Sequence, residues 1–286
     1  MILMRKFAIQ LFASFLTLIQ CATRSPSTGW ATQYYSASLA MSISNPNQIT
    51  ESITFQQSTG KVLLSNALPS SNTTAVYFST AINGQVVSYT GSSIMNEFLS
   101  NSSYGTFGLI VDPNDNSLVW AAVSLDPPSS TTACAIQAAS TDTNTVTGFY
   151  DFSALQDTEL GCVVDDVAVQ SSAGLSVAVY ATDFFGYRVY KLDLTSGNKT
   201  LLNNDTSLLC TSYPTGCDGT STNGPNGIVL YSDTQGKDWL LVGVSPNRLV
   251  KMDPISGNAS IVQPGPNTPS GALQFLDGMS LYLPSR

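Results

Sequence analysis

Short apolar runs bounded by turn residues, a unit that recurs at roughly 50 to 60 residues, and few helical patterns beyond the N-terminus predict an all-β fold built from repeats. Each unit offers about four strands, which specifies a β-propeller. A β-sandwich also has many short strands, but it has no reason to repeat a full four-stranded unit.

The N-terminus comes first. Arg5 and Lys6 precede an apolar run from Phe7 to Ile19, followed by small residues. That order reads as a secretory signal peptide, residues 1–22, with cleavage around Ala22. The run is too short to span a bilayer, which takes about 20 residues. A short N-terminal segment, 23–44, then leads into the propeller domain, 45–286.

Within that domain a polar or glycine landmark precedes an apolar run five times. The landmarks are Glu51-Ser52-Ile53, Phe107-Gly108-Leu109, Asp165-Asp166-Val167, Asn226-Gly227-Ile228 and Asp277-Gly278-Met279. Second runs follow at Val62-Leu63-Leu64, Leu118-Val119-Trp120, Val177-Ala178-Val179 and Trp239-Leu240-Leu241. Third runs, Arg188-Val189-Tyr190-Lys191-Leu192 and Arg248-Leu249-Val250-Lys251-Met252, end alike, in an Asp-x-x-Ser-Gly-Asn turn from Asp193 and again from Asp253. Such a turn joins the third strand of a blade to its outer fourth. Blades are expected near 51–100, 105–155, 162–210 and 223–265, with the start of a fifth at 275–286. The chain stops at Arg286, so the propeller is expected to be incomplete, about four blades plus the start of a fifth.

Composition narrows the chemistry. The formal net charge is -8 and there is no Lys/Arg run after the signal peptide, which argues against nucleic acid as a partner. The chain has no histidine, which removes a Ser-His-Asp triad, a Cys-His dyad and any His-ligated zinc site. Any catalysis must rest on carboxylates, a metal, Lys, Tyr or Cys.

Asn72, Asn101, Asn198, Asn204 and Asn258 each begin an Asn-x-Ser/Thr triplet, an acceptor for a glycan in a secreted chain. Cysteine usage agrees with secretion. Without Cys21, four remain, Cys134, Cys162, Cys210 and Cys217, which allow three pairings. Cys210–Cys217 is favoured because it closes a short loop, leaving Cys134–Cys162 by elimination.

These landmarks, with Asp165 through Gly186 and Gly224-Pro225-Asn226-Gly227-Ile228, resemble the senescence marker protein/gluconolactonase family, the regucalcin-like propellers of the six-bladed type. The resemblance covers residues 45–286 and is nearest to divergent secreted members. Strictosidine-synthase and NHL-repeat propellers share the same Pro/Asn/Gly-then-strand pattern. The resemblance implies a divalent cation on the propeller axis, Ca²⁺ first and Mn²⁺ or Mg²⁺ next, since oxygen-only donors suit these ions. Glu51, Asn226 and Asp277 match its ligands, Asp277 also matches the general base, and Asp165 matches a polar residue beside the substrate. The family's substrate-holding arginine falls near Val163, a departure that speaks against sugar-acid specificity.

The function implied is a secreted, metal-dependent hydrolase of lactones or esters. The alternative is a non-catalytic extracellular propeller that binds a small molecule or protein. A strictosidine-synthase-like condensing enzyme ranks third, because its channel Glu has no match here. The aromatic residues Phe107, Phe184, Phe185 and Tyr187 are open to two readings: blade packing, or the wall of a channel for a hydrophobic ligand.

Overall fold

The computed structural model describes residues 52–56, 61–66, 85–90, 93–98, 104–125, 134–143, 145–156, 160–217 and 224–263. The signal peptide, residues 23–44, Glu51, Asn72, Asn101, Asp277 and the expected fifth unit lie outside them. The described residues are mostly strand and turn, with almost no helix.

Among the described residues four antiparallel sheets follow one another along the chain, and each is four strands in sequence order. Sheet one holds β1 (Ile53–Gln56), β2 (Lys61–Asn66), β3 (Gln85–Thr90) and β4 (Ser93–Phe98). Sheet two holds β5 (Tyr104–Val111), β6 (Leu118–Leu125), β7 (Cys134–Ser140) and β8 (Thr145–Asp151). Sheet three holds β9 (Val164–Ser172), β10 (Leu175–Asp183), β11 (Arg188–Asp193) and β12 (Lys199–Asn203). Sheet four holds β13 (Pro225–Ser232), β14 (Asp238–Val244), β15 (Arg248–Met252) and β16 (Ala259–Ile261). A one-turn helix, α1 (Thr206–Leu209), links the last two sheets.

The first strands of successive sheets pack on one another, β1 on β5, β5 on β9 and β9 on β13. This is the propeller arrangement, in which the inner strands stand side by side and the later strands fan outwards. Side-chain alternation explains why the middle strands read as unbroken apolar runs. In β6, Val119, Ala121 and Val123 face sheet one, whereas Trp120 and Ala122 face sheet three. In β10, Val179 and Ala181 join the core shared with sheet two, while Ala178 and Tyr180 join the core shared with sheet four. A sheet with both faces covered has no polar face to alternate with.

Turn chemistry repeats with the sheets. Asp193 Oδ1 accepts from the amides of Thr195 and Ser196 at 3.1 and 2.8 Å, and Asp253 Oδ1 accepts from Ile255 and Ser256, both at 2.9 Å. Gly197 and Gly257 both have φ of +72°, the left-handed conformation glycine adopts without penalty. The first hairpins of sheets two and four share another device. Asp112 Oδ2 takes the indole N–H of Trp120 at 2.8 Å, and Asp233 Oδ2 takes that of Trp239 at 2.9 Å.

Both expected disulfides are formed, Cys134–Cys162 and Cys210–Cys217. The first ties β7 to the segment entering β9, and so staples sheet two to sheet three. Among the described residues no helix is long and apolar enough to cross a membrane.

Candidate functional site

Three of the five sequence landmarks fall on one structural feature. In sheets two, three and four the inner strand slips by one residue against its neighbour, between Thr106 and Leu109, between Val164 and Val167, and between Pro225 and Ile228. Each slip puts a residue pair of the inner strand opposite a single partner. The pairs are Phe107-Gly108, Asp165-Asp166 and Asn226-Gly227. A bulge of this kind re-aims side chains and frees backbone groups from the ladder. The freed amides find partners in the preceding sheet. Leu109 N donates to Ser52 Oγ at 3.2 Å, and Ile228 N donates to Asp166 Oδ2 at 3.0 Å.

Asp166 is therefore a stitch between sheets. Its second oxygen, Oδ1, accepts from Val167 N at 2.9 Å. Gly108 faces it so closely that a methyl group there would lie 2.3 Å from Oδ1, which fixes glycine at that point. Asp165 is half-buried beside it.

Thr182 joins the two bulges. Its hydroxyl accepts from Asp166 N at 3.1 Å and donates to the carbonyl of Asn226 at 2.6 Å. The structure thus brings together the Asp165-Asp166 and Asn226 landmarks. Asn226 is itself half-buried, yet its side-chain oxygen Oδ1 is sealed from solvent and has no hydrogen-bond partner among the described residues. A buried amide oxygen left in this state costs about 1–3 kcal/mol, so its place at this position calls for an explanation. A lone amide oxygen of this kind is one of the donor types that a hard divalent cation takes.

Phe107 occupies the equivalent bulge position of sheet two and is 4% exposed. It belongs with Phe184 and Phe185 to the core between sheets two and three, and Tyr187 belongs to the core between sheets three and four. Of the two readings of these aromatics, packing is the one they fulfil. Val163, near which the resemblance would put an arginine, is also buried and engaged through its backbone. It donates to Asp183 Oδ1 at 3.0 Å and accepts from Phe184 N at 2.8 Å.

A second charged cluster went unnoticed in the sequence. Asp183 is fully buried at the seam of sheets two and three. Its Oδ1 accepts from Val163 N and from Gly186 N at 2.9 Å, and its Oδ2 accepts from Tyr190 OH at 3.0 Å. Arg188 stands 3.6 Å from Oδ2 and donates to Tyr190 OH at 3.3 Å. Burial raises the Asp183 pKa to about 6, against the opposing pull of Gly186, Arg188, Val163 and Tyr190. Burial likewise drives the Tyr190 hydroxyl upwards, helped by Asp183. Phe152 stacks on Tyr190 at 4.8 Å and closes the cluster.

Cys134, Cys162 and Asp183 stand within 4.8 Å of one another, but the two sulfurs are bonded to each other and offer no thiolate. The cluster is a closed structural joint. Its one signal in the sequence is a charged pair flanking the Phe184–Tyr187 turn in a chain only 10% charged.

No protein-family profile and no curated protein matches this chain. Solved structures do. A chain of a nidogen/laminin complex superposes with a TM-score of 0.52 at 14% identity, covering 86% of this chain and 73% of that one. A Bacteroides thetaiotaomicron protein of unknown function gives 0.47 at 10% identity, over 74% of this chain and 42% of that one. The major Malassezia sympodialis allergen Mala s 1 gives 0.45 at 12% identity, over 76% and 80%. At such identities the likeness speaks to fold alone.

Proposed function

We propose that this protein is an extracellular β-propeller that binds a hard divalent cation, Ca²⁺ first, at the bulged ends of its inner strands and hydrolyses a lactone or ester there. The observation that supports the reading is the Oδ1 of Asn226, sealed and without a partner among the described residues, at the same bulge position as Asp165. Glu51 and Asp277 hold the same place in their own landmarks by sequence, and complete an oxygen-only set with Asn226. Bound there, the cation would supply Lewis acidity toward an ester carbonyl. In this reading Asp277 takes the proton from the attacking water and Asp165 orients the substrate. The two disulfides support an extracellular setting.

A second reading, a propeller that binds a partner without turnover, has one observation in its favour. The bulge position of sheet two holds Phe107 in the core, so that sheet contributes no donor.

Titration calorimetry of the chelator-stripped full chain with Ca²⁺, Mn²⁺ and Mg²⁺, followed by a lactone and ester panel, tests both readings. We expect saturable Ca²⁺ binding that Asn226→Ala abolishes, and metal-dependent turnover that Asp277→Asn abolishes with binding weakened. Absence of saturable binding overturns the site. Binding without turnover leaves the second reading.

A further inference from the structure

The outer strands of sheets three and four each begin at the same turn, and each turn presents a glycan acceptor. Asn198 precedes β12 and Asn258 precedes β16, in Asn198-Lys199-Thr200 and Asn258-Ala259-Ser260. The two turns are closed by the same backbone bonds. Asp193 N donates to Asn198 O at 2.9 Å, and Asp253 N donates to Asn258 O at 2.8 Å. Asn198 N and Asn258 N both donate to the serine hydroxyl two residues earlier, each at 3.3 Å. These bonds use the main chain of each asparagine and leave its side chain exposed. A substituent on either amide nitrogen disturbs no packing.

The strands that follow are the outermost of their sheets, and only the Leu202–Asn203 end of β12 is covered, by the Gly257 turn, whose carbonyl accepts from Asn203 Nδ2 at 2.9 Å. Among the described residues β12 pairs only with β11, and β16 only with β15. An exposed edge carries a row of unpaired N–H and C=O groups that can template pairing with another chain. Ile261 on β16 is 38% exposed, which adds an apolar incentive.

We infer that Asn198 and Asn258 carry N-linked glycans, and that these guard the edges of β12 and β16 against pairing with other chains. The inference is independent of the metal site and of any turnover. In the modification the asparagine amide nitrogen bonds to the anomeric carbon of a lipid-pyrophosphate-linked oligosaccharide. The carbon–oxygen bond to pyrophosphate breaks, the amide loses one proton, and the lipid pyrophosphate leaves. No oxidant or reductant is needed. Two formed disulfides are consistent with passage through a compartment where that donor is present.

Expression of the full chain in a secreting eukaryotic host, with glycopeptide mass spectrometry, tests the sites. We expect Asn198→Gln and Thr200→Ala each to remove one glycan, and Asn258→Gln and Ser260→Ala each to remove another. Secreted protein with both peptides unmodified overturns the assignment. Light scattering then tests the edge role. The Asn198→Gln/Asn258→Gln double variant should melt at the wild-type temperature yet associate as its concentration rises, whereas the wild type stays dispersed. A double variant as dispersed as the wild type overturns the guarding role.

Discussion

Asp183 and Asn226 both place a side-chain oxygen out of water where two sheets meet, and their surroundings differ in one respect. Every oxygen of Asp183 is engaged, by two amides, a phenol and a guanidinium. Asn226 Oδ1 is engaged by nothing among the described residues. Asp183 has the more perturbed ionisation, and on that criterion alone it would be the functional candidate. The pattern of satisfied donors assigns it instead to holding the seam. A group that has spent all its acceptor capacity on the fold has none left for a ligand, so an unsatisfied acceptor is a better candidate than a buried, satisfied one.

The largest effect should come from breaking the satisfied cluster. Asp183→Ala removes the acceptor for Val163 N, Gly186 N and Tyr190 OH, and leaves Arg188 buried without its counter-charge. Removing one partner of a buried pair costs about 3–5 kcal/mol. Denaturant unfolding at neutral pH should show that loss. A cost below about 1 kcal/mol, the scale of an exposed pair, would mean the seam does not depend on Asp183.

The next effect is on pH dependence. The folded pKa of Asp183, about 6, lies above its ordinary value of 3.8, so folding takes up a proton between the two. Its contribution to stability therefore grows as pH falls from above 6 and is complete below the ordinary value. Asp193, Asp233 and Asp253 are held below the ordinary carboxylate range, by hydrogen bonds from Ser196, from Trp239, and from Ser256 and Lys237 respectively. Their contributions have the opposite sign, present above the ordinary value and lost as pH falls below it. The melting temperature should thus rise on mild acidification and fall on strong acidification. In Asp183→Asn the rise should vanish while the fall remains. A rise that survives in that variant would assign it to other groups.

Much of this fold was legible in the sequence, because what repeats is local. The Asp-x-x-Ser-Gly-Asn turns at Asp193 and Asp253 spell out their own hydrogen bonds, and the apolar runs between them are strands covered on both faces. The landmark pairs were legible as repeats, but that they are bulges depends on register against the second strand. The site was legible only in part for the same reason. Nothing near Asp166 in the sequence says that its carboxylate will bind Ile228 N, 62 residues on, and so act as a stitch. Nor does the sequence say that Thr182 will bridge it to Asn226, or that Phe184 and Phe185 will be packing. Such contacts form across sheets, where sequence periodicity carries no information.

The smallest effect is the one that separates the two regions most cleanly. Asn226→Leu replaces an acceptor that is buried and unpartnered among the described residues with an apolar side chain of similar size. Removing an unsatisfied polar atom is neutral or stabilising, by up to about 1 kcal/mol, where removing a satisfied one costs stability. The metal-free variant should therefore melt at or slightly above the wild-type temperature, in contrast to Asp183→Ala. Added Ca²⁺ then supplies the second half of the comparison. A ligand that binds only the folded state raises its stability by an amount set by concentration over Kd, about 2.7 kcal/mol at a hundredfold excess. The wild type should gain from Ca²⁺ and the variant should not. If Asn226→Leu instead costs as much as breaking the Asp183 cluster, the Asn226 amide is part of the framework, and its open oxygen has no claim to a ligand.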